Sequence, residues 1–346
     1  MSTESSTSKK IPGTKAFHNR HTAINRFGEL TLFSGSASPA LGEEIAAYIR
    51  QHSDYHDVYC GRYQRVTFSN ENIFIRLEES VRGKDVYIVQ TMASPVHENI
   101  FELLIMIDAL KRDSAWRINV VVPYLAYGRS DKKDQPRVPI TARLLANMLE
   151  TAGADRYMTI DLHAGQIQGF FNIPGDALTA FHLLSDYVAG LQIENLTVAA
   201  TDLGFAKEAR NWAHKLNAPV AFIEKRREDN AERPRAMSVV GDVKGRNVLL
   251  VDDEVNTAGS VVNAVTLLRE FGAQDIYLAF THPFLTEVAY ERLAALDFRE
   301  IICTNTIPIP EDKILSNMTV LSVAPMLAEV ILRAHQGRSV GELFDE

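Results

Sequence analysis

From Thr31 onward, short apolar runs alternate with stretches whose apolar residues recur every three or four positions. Residues 85–90 and 118–123 predict buried strands, and residues 99–111 between them place Ile100, Leu103, Leu104, Ile107 and Leu110 at helical spacing. Residues 141–151 repeat the helical pattern with Leu144, Leu145, Met148 and Leu149 on one face, Gly153 supplying the stop, and residues 157–162 predict the next strand. In the second half, residues 196–201, 219–223, 247–251 and 276–280 predict strands. Residues 261–271 predict a helix carrying Val261, Val265, Leu268 and Phe271, closed by Gly272. A last helix over residues 325–335 is apolar on one side and must pack somewhere, the first half being one place for it. Alternation of this kind specifies an α/β fold, with parallel sheets covered by helices on both faces.

A chain of 346 residues is too long for one small core and suits two domains. The expected division is an irregular or disordered tail at residues 1–27, a first domain at 28–177 and a second at 178–346. No sequence repeat relates the two halves. The first fifteen residues lack the apolar centre of a secretory signal, and Glu4 and the absence of Arg there argue against a transit peptide. Hydrophobic residues at 46% and charged residues at 23% exclude a disordered or collagen-like chain. The net charge of −8 gives no overall bias towards nucleic acid or anionic membrane, and no apolar run is long enough to span a bilayer. Two cysteines, Cys60 and Cys303, are too few for a disulfide framework, which fits a reducing cytoplasm.

Chemistry concentrates in Val251-Asp252-Asp253-Glu254-Val255-Asn256-Thr257-Ala258-Gly259-Ser260, which follows a buried strand and opens a helix. Thr257, Ala258, Gly259 and Ser260 offer hydroxyls, small side chains and backbone N–H groups at a helix N-terminus, a phosphate cradle. Asp252 and Asp253 would repel phosphate but suit the vicinal hydroxyls of a ribose. A strand followed by a helix with acidic capping residues is the plainer alternative.

That segment resembles the phosphoribosyl-diphosphate (PRPP) motif shared by phosphoribosyltransferases and ribose-phosphate diphosphokinases. Asp161-Leu-His-Ala-Gly-Gln-Ile-Gln-Gly-Phe-Phe-Asn-Ile-Pro174 resembles the signature of the diphosphokinases, or PRPP synthetases, alone. Glu78-Glu-Ser-Val-Arg-Gly83, Pro123-Tyr-Leu-Ala-Tyr-Gly-Arg-Ser-Asp-Lys132, Glu150-Thr-Ala-Gly-Ala154 and Asn305-Thr-Ile-Pro308 extend the likeness from about Thr31 to Phe344. The resemblance implies two type I phosphoribosyltransferase-like domains, the first on the nucleotide side and the second on the ribose 5-phosphate side. It implies transfer of the diphosphoryl group of ATP, or another nucleoside triphosphate, to the 1-hydroxyl of ribose 5-phosphate, giving PRPP and AMP.

The same resemblance places Lys225 and Arg227 on a catalytic loop. It puts Phe68, Asn70, Asn72, Arg129, Ser130, Asp131 and His163 on the nucleotide, and Asp252, Asp253, Asn256, Thr257, Ala258, Gly259 and Ser260 on ribose 5-phosphate. His163 and Asp202 would ligate Mg2+ as cofactor. It also implies a homodimer assembling to a hexamer, with Phe68 serving a neighbouring subunit. Four departures stand out. Asn70 and Asn72 replace two carboxylates of members that select adenine, Asn256 replaces a carboxylate, Phe205 and Glu208 replace a small and a basic residue, and the catalytic loop is about one residue longer. These departures motivate the alternative of a non-catalytic regulatory subunit; a PRPP-consuming transferase would leave the first half idle.

Overall fold

The computed structural model describes residues 27–225 and 237–343. The expected tail lies outside the described residues except for Phe27, and so does Arg227.

The first half contains β1 (Leu30–Ser34), α1 (Pro39–His52), β2 (Tyr63–Thr67), β3 (Ile73–Leu77), β4 (Asp85–Val89), α2 (Val96–Arg112), β5 (Arg117–Val122), α3 (Thr141–Ala152), β6 (Arg156–Ile160) and β7 (Gly175–Leu178). Five strands form a parallel sheet in the order β1-β4-β5-β6-β7. β4 is buried at every position, as a strand covered on both faces must be. β2 and β3 make a separate antiparallel hairpin. The second half contains α4 (Phe181–Gly190), β8 (Leu196–Ala200), α5 (Ala206–Lys215), β9 (Val220–Lys225), β10 (Met237–Val240), β11 (Asn247–Val255), α6 (Gly259–Glu270), β12 (Ile276–Pro283), α7 (Glu287–Ala295), β13 (Phe298–Thr304), β14 (Met318–Leu321) and α8 (Ala324–Gln336). Its sheet runs β10-β9-β8-β11-β12-β13-β14, parallel except for β10.

Two sequence expectations change at the level of single faces. Leu144 is 55% exposed, because the buried stripe of α3 runs through Ala142, Leu145, Ala146 and Leu149, and Leu144 sits about 100° away from Leu145. Phe271 is the exposed C-cap of α6 rather than a core residue.

One apolar cluster crosses between the halves: Leu41, Ile45 and Ile49 of α1 join Leu327, Val330 and Ile331 of α8, with Val198 and Leu249 beneath. The last helix therefore packs on the first. Beneath it lies a polar knot. Arg117 Nε and Nη2 donate to Asp85 Oδ1 and Oδ2 at 2.7 and 2.6 Å, and Asn119 Nδ2 donates to Oδ1 at 2.8 Å. His335 Nδ1 on α8 donates to Asp85 Oδ2 at 2.7 Å, and Arg117 also reaches the carbonyl of Ala334. Burial alone would raise the Asp85 carboxyl. The donors from His335 and Arg117 outweigh it and hold the group below the ordinary carboxylate range.

Candidate active site

β11 outruns its neighbour. Its pairing with β8 stops at Val251, while its pairing with β12 continues to Val255, so residues 252–255 belong to the strand although the expected strand ended at 251. The overhang carries three consecutive carboxylates beyond the edge of β8, towards the first half of the molecule. Each finds a different partner. Thr201 Oγ1 at the end of β8 donates to Asp252 Oδ2 at 2.6 Å, and the amide of Asp253 donates to Asp252 Oδ1 at 2.9 Å. His163 Nδ1, from the first half, donates to Asp253 Oδ2 at 2.7 Å. Tyr124 Oη donates to Glu254 Oε2 at 3.2 Å, and Arg129 Nη2 pairs with Glu254 Oε1 at 3.5 Å.

The two adjacent aspartates are driven apart electrostatically. Burial, reinforced by the neighbouring Asp253 charge, pushes the Asp252 carboxyl up to about 8. Asp253 is partly buried, which would raise it, but the hydrogen bond and charge of His163 hold its carboxyl below the ordinary range. The bond to Asp253 in turn raises His163, against the opposing effect of burial.

After β11 the chain turns through Asn256–Ala258 into α6. The carbonyl of Asn256 accepts from the amide and hydroxyl of Thr286, and the carbonyl of Thr257 accepts from Arg292 Nη1 at 2.7 Å, so the turn is fastened from α7. Ala258 adopts the left-handed region at φ 56°, and no side chain caps the first turn of α6. The N–H groups of that turn are thus left to an incoming anion. A Cβ on Gly259 would meet no heavy atom closer than 3.7 Å, so nothing in the protein itself demands a glycine there.

Arg129, His163, Asp202, Gly204, Phe205 and residues 252–261 line one cleft of about 360 Å³. A narrower extension of about 130 Å³ continues past Tyr124, Tyr127 and Arg129 to His282. Both halves of the molecule supply walls. They are stitched together below the cleft by Thr281 Oγ1 donating to Asp161 Oδ2 at 2.6 Å and by Thr91 Oγ1 donating to the carbonyl of Thr306 at 2.8 Å.

Residues 30–153 match the family model of the N-terminal domain of ribose phosphate pyrophosphokinase, and residues 229–345 match that of the phosphoribosyl synthetase-associated domain. The chain is 44% identical over 325 residues to the ribose-phosphate pyrophosphokinase of Bacillus subtilis, covering 92% of this chain and 99% of that one. It is 45% identical over 316 residues to that of Caldanaerobacter subterraneus, with 91% and 98% covered. The crystal structure of phosphoribosylpyrophosphate synthetase from Mycobacterium smegmatis superposes with a TM-score of 0.83 at 43% identity, over 89% of this chain and 99% of that one. The chain belongs to the ribose-phosphate pyrophosphokinase family.

Of the positions that the pyrophosphokinase resemblance singles out, Arg129, His163, Asp202, Asp252, Asp253, Asn256, Thr257, Ala258, Gly259 and Ser260 share the cleft. Others lie elsewhere. Ser130 Oγ accepts from the amide of Thr141 and so fixes the start of α3, and the buried Asp131 accepts from Gln166; neither lines the cleft. Phe68, Asn70 and Asn72 occupy the tip of the β2–β3 hairpin, Phe68 being 51% exposed, and none of them reaches the cleft of its own chain. Lys225 is the last residue of β9. The residues that pattern reading passed over are Glu254, Tyr124 and Thr201. Glu254 was in plain view within the motif, but its partners lie 130 and 125 positions away and leave no local signal. Among the described residues no helix is long and apolar enough to cross a membrane.

Proposed function

We propose that this pyrophosphokinase family member transfers the diphosphoryl group of ATP, or of another nucleoside triphosphate, to the 1-hydroxyl of ribose 5-phosphate, yielding PRPP and AMP. One observation carries the reading: an uncapped helix N-terminus with paired aspartates from residues 178–346 faces Arg129 and His163 from residues 28–177 across one cleft. Anion and hydroxyl recognition lie on one wall, a guanidinium and an imidazole on the other. Ribose 5-phosphate would set its phosphate on the amides of residues 257–260 and its hydroxyls on Asp252 and Asp253. Arg129 would hold the nucleotide phosphates, and Lys225 and Arg227 the diphosphoryl group in transit. Such a transfer asks for alignment and positive charge more than for covalent participation.

His163 and Asp202 would hold Mg2+. The donor set fits, because the bond from His163 Nδ1 to Asp253 fixes the ring and leaves Nε2 for a metal, an arrangement common in metal sites. Among the described residues no three His, Cys, Asp or Glu side chains gather closely enough to cage a cation, so water and phosphate oxygens would complete the shell. The ion would supply neutralising charge on the phosphate oxygens.

The hairpin tip, exposed and remote from its own cleft, favours a homodimer in which Phe68, Asn70 and Asn72 reach a neighbour's nucleotide, with assembly onward to a hexamer in the cytoplasm. Asn both donates and accepts where a carboxylate only accepts, so base selection would be relaxed. The test is AMP and PRPP release dependent on ribose 5-phosphate and Mg2+, across ATP, GTP, CTP and UTP. No PRPP from any of the four would sink the reading.

A further inference from the structure

We propose that Glu254 is a positioning residue for the nucleotide: it orients the Arg129 guanidinium across the seam between the halves before ATP arrives. The inference rests on the proposed diphosphokinase reading and adds to it a residue that this reading does not use. Glu254 stands on the β11 overhang, where β8 no longer pairs and the strand faces the first half. Its side chain is 7% exposed, while that of Arg129 is 60% exposed. One carboxylate oxygen is fixed by the Tyr124 hydroxyl at 3.2 Å; the other faces Arg129 Nη2 at 3.5 Å.

An arginine so exposed has four side-chain torsions free to sweep solvent, and ordering them on binding opposes affinity. Glu254 supplies the fixed end. It takes one edge of the guanidinium, and the planar fork leaves the other donors for a ligand in the cleft that Arg129 lines. The carboxylate lines the cleft too, with its two oxygens on partners from the first half. Its repulsion for incoming phosphate is offset by those partners, and the orientation gain remains. Asp253 and His163 make the neighbouring crossing one residue earlier on the strand. Consecutive carboxylates on one strand therefore set His163 and Arg129 on the opposite wall.

The test is direct binding of Mg-ATP in the absence of ribose 5-phosphate, by calorimetry, together with steady-state kinetics. Glu254→Gln keeps an oxygen for Tyr124 and removes the charge. It should raise the ATP dissociation constant and the KM for ATP about two- to fivefold, the range of one half-exposed ion pair. The KM for ribose 5-phosphate and kcat should stay within about twofold. In an Arg129→Ala background the same substitution should add nothing, since Glu254 acts through Arg129. Arg129→Lys, which keeps the charge and loses the fork, should weaken ATP at least as much as Glu254→Gln. Unchanged or tighter ATP binding in Glu254→Gln, an equal loss on ribose 5-phosphate, or additivity with Arg129→Ala would each overturn the proposal. Failure of the diphosphokinase reading is distinguishable: the wild type would then release no PRPP, while calorimetry would still report whether Glu254 governs nucleotide binding.

Discussion

Two polar seams join the halves of this protein, and they are built on opposite plans. Beneath α8, Asp85 is fully buried and receives donors from Arg117, Asn119, Tyr87 and His335, so no lone pair is left for a newcomer. At the cleft, the His163 and Arg129 side chains stay 40% and 60% exposed in their pairs with Asp253 and Glu254, and both line the cavity. In the first, the Asp85 carboxylate is satisfied by the protein alone, although the Oδ1 of Asn119 beside it has no hydrogen-bond partner among the described residues; the second is satisfied only in part. A closed knot can fix how the halves meet, and an open one can exchange partners when substrate enters, because charge pairs in solvent contact are cheap to break.

The contrast can be broken most forcefully at Asp85. Asp85→Asn should destabilise the protein by about 3–5 kcal/mol in denaturant unfolding, because Arg117 is left without its counter-charge in a largely buried site. The pH dependence follows from the depressed carboxyl. The stabilisation is fully present above the unfolded value of about 3.9 and disappears as pH falls through the lower folded value. The gap between wild type and Asp85→Asn should therefore close in acid; a constant gap from neutral pH downwards would show that Asp85 does not carry it.

On the open side the expected losses fall on activity instead. Lys225→Ala should reduce kcat about 10²- to 10³-fold, the scale of removing one charge-stabilising donor, with no change in unfolding midpoint. Full retention of activity would remove Lys225 from the mechanism. Gly259→Ala should fold normally, since its Cβ meets nothing closer than 3.7 Å, yet raise the KM for ribose 5-phosphate about tenfold by intruding on the cradle. Unaltered KM would mean that phosphate does not approach that turn. The smallest effect belongs to the hairpin: Asn70→Asp with Asn72→Glu should sharpen the preference for ATP over GTP by about 1 kcal/mol or less, read from the nucleotide panel.

Legibility in the sequence followed the range of the forces involved. Strands such as β4 and β12, and the turn from β11 into α6, were readable because burial on both faces and a helix opening leave local patterns. The β2–β3 hairpin was not, because its strands are short and face solvent at several positions, which blurs the alternation. Leu144 shows the other weakness: adjacent leucines look equivalent in a pattern, but the buried stripe of α3 takes Leu145 with Ala142, Ala146 and Leu149 and leaves Leu144 outside it. Ser130 and Asp131 sit beside Arg129 in sequence, yet the turn sends Arg129 to the cleft and the other two into the support of α3 and of the turn holding Gln166. The crossing pairs of Glu254 and of Asp85 with His335 were beyond reach, because contacts between distant positions have no periodicity.

The pairing of α8 with α1 also bears on the order of events during synthesis. His335 follows Asp85 by 250 residues, so at about 5–20 residues per second the carboxylate waits roughly 12–50 s on the ribosome for its last donor. Through that interval α1 rests on the first sheet but lacks the part of its cover that α8 supplies, and the nascent chain carries an unfinished surface until that helix arrives.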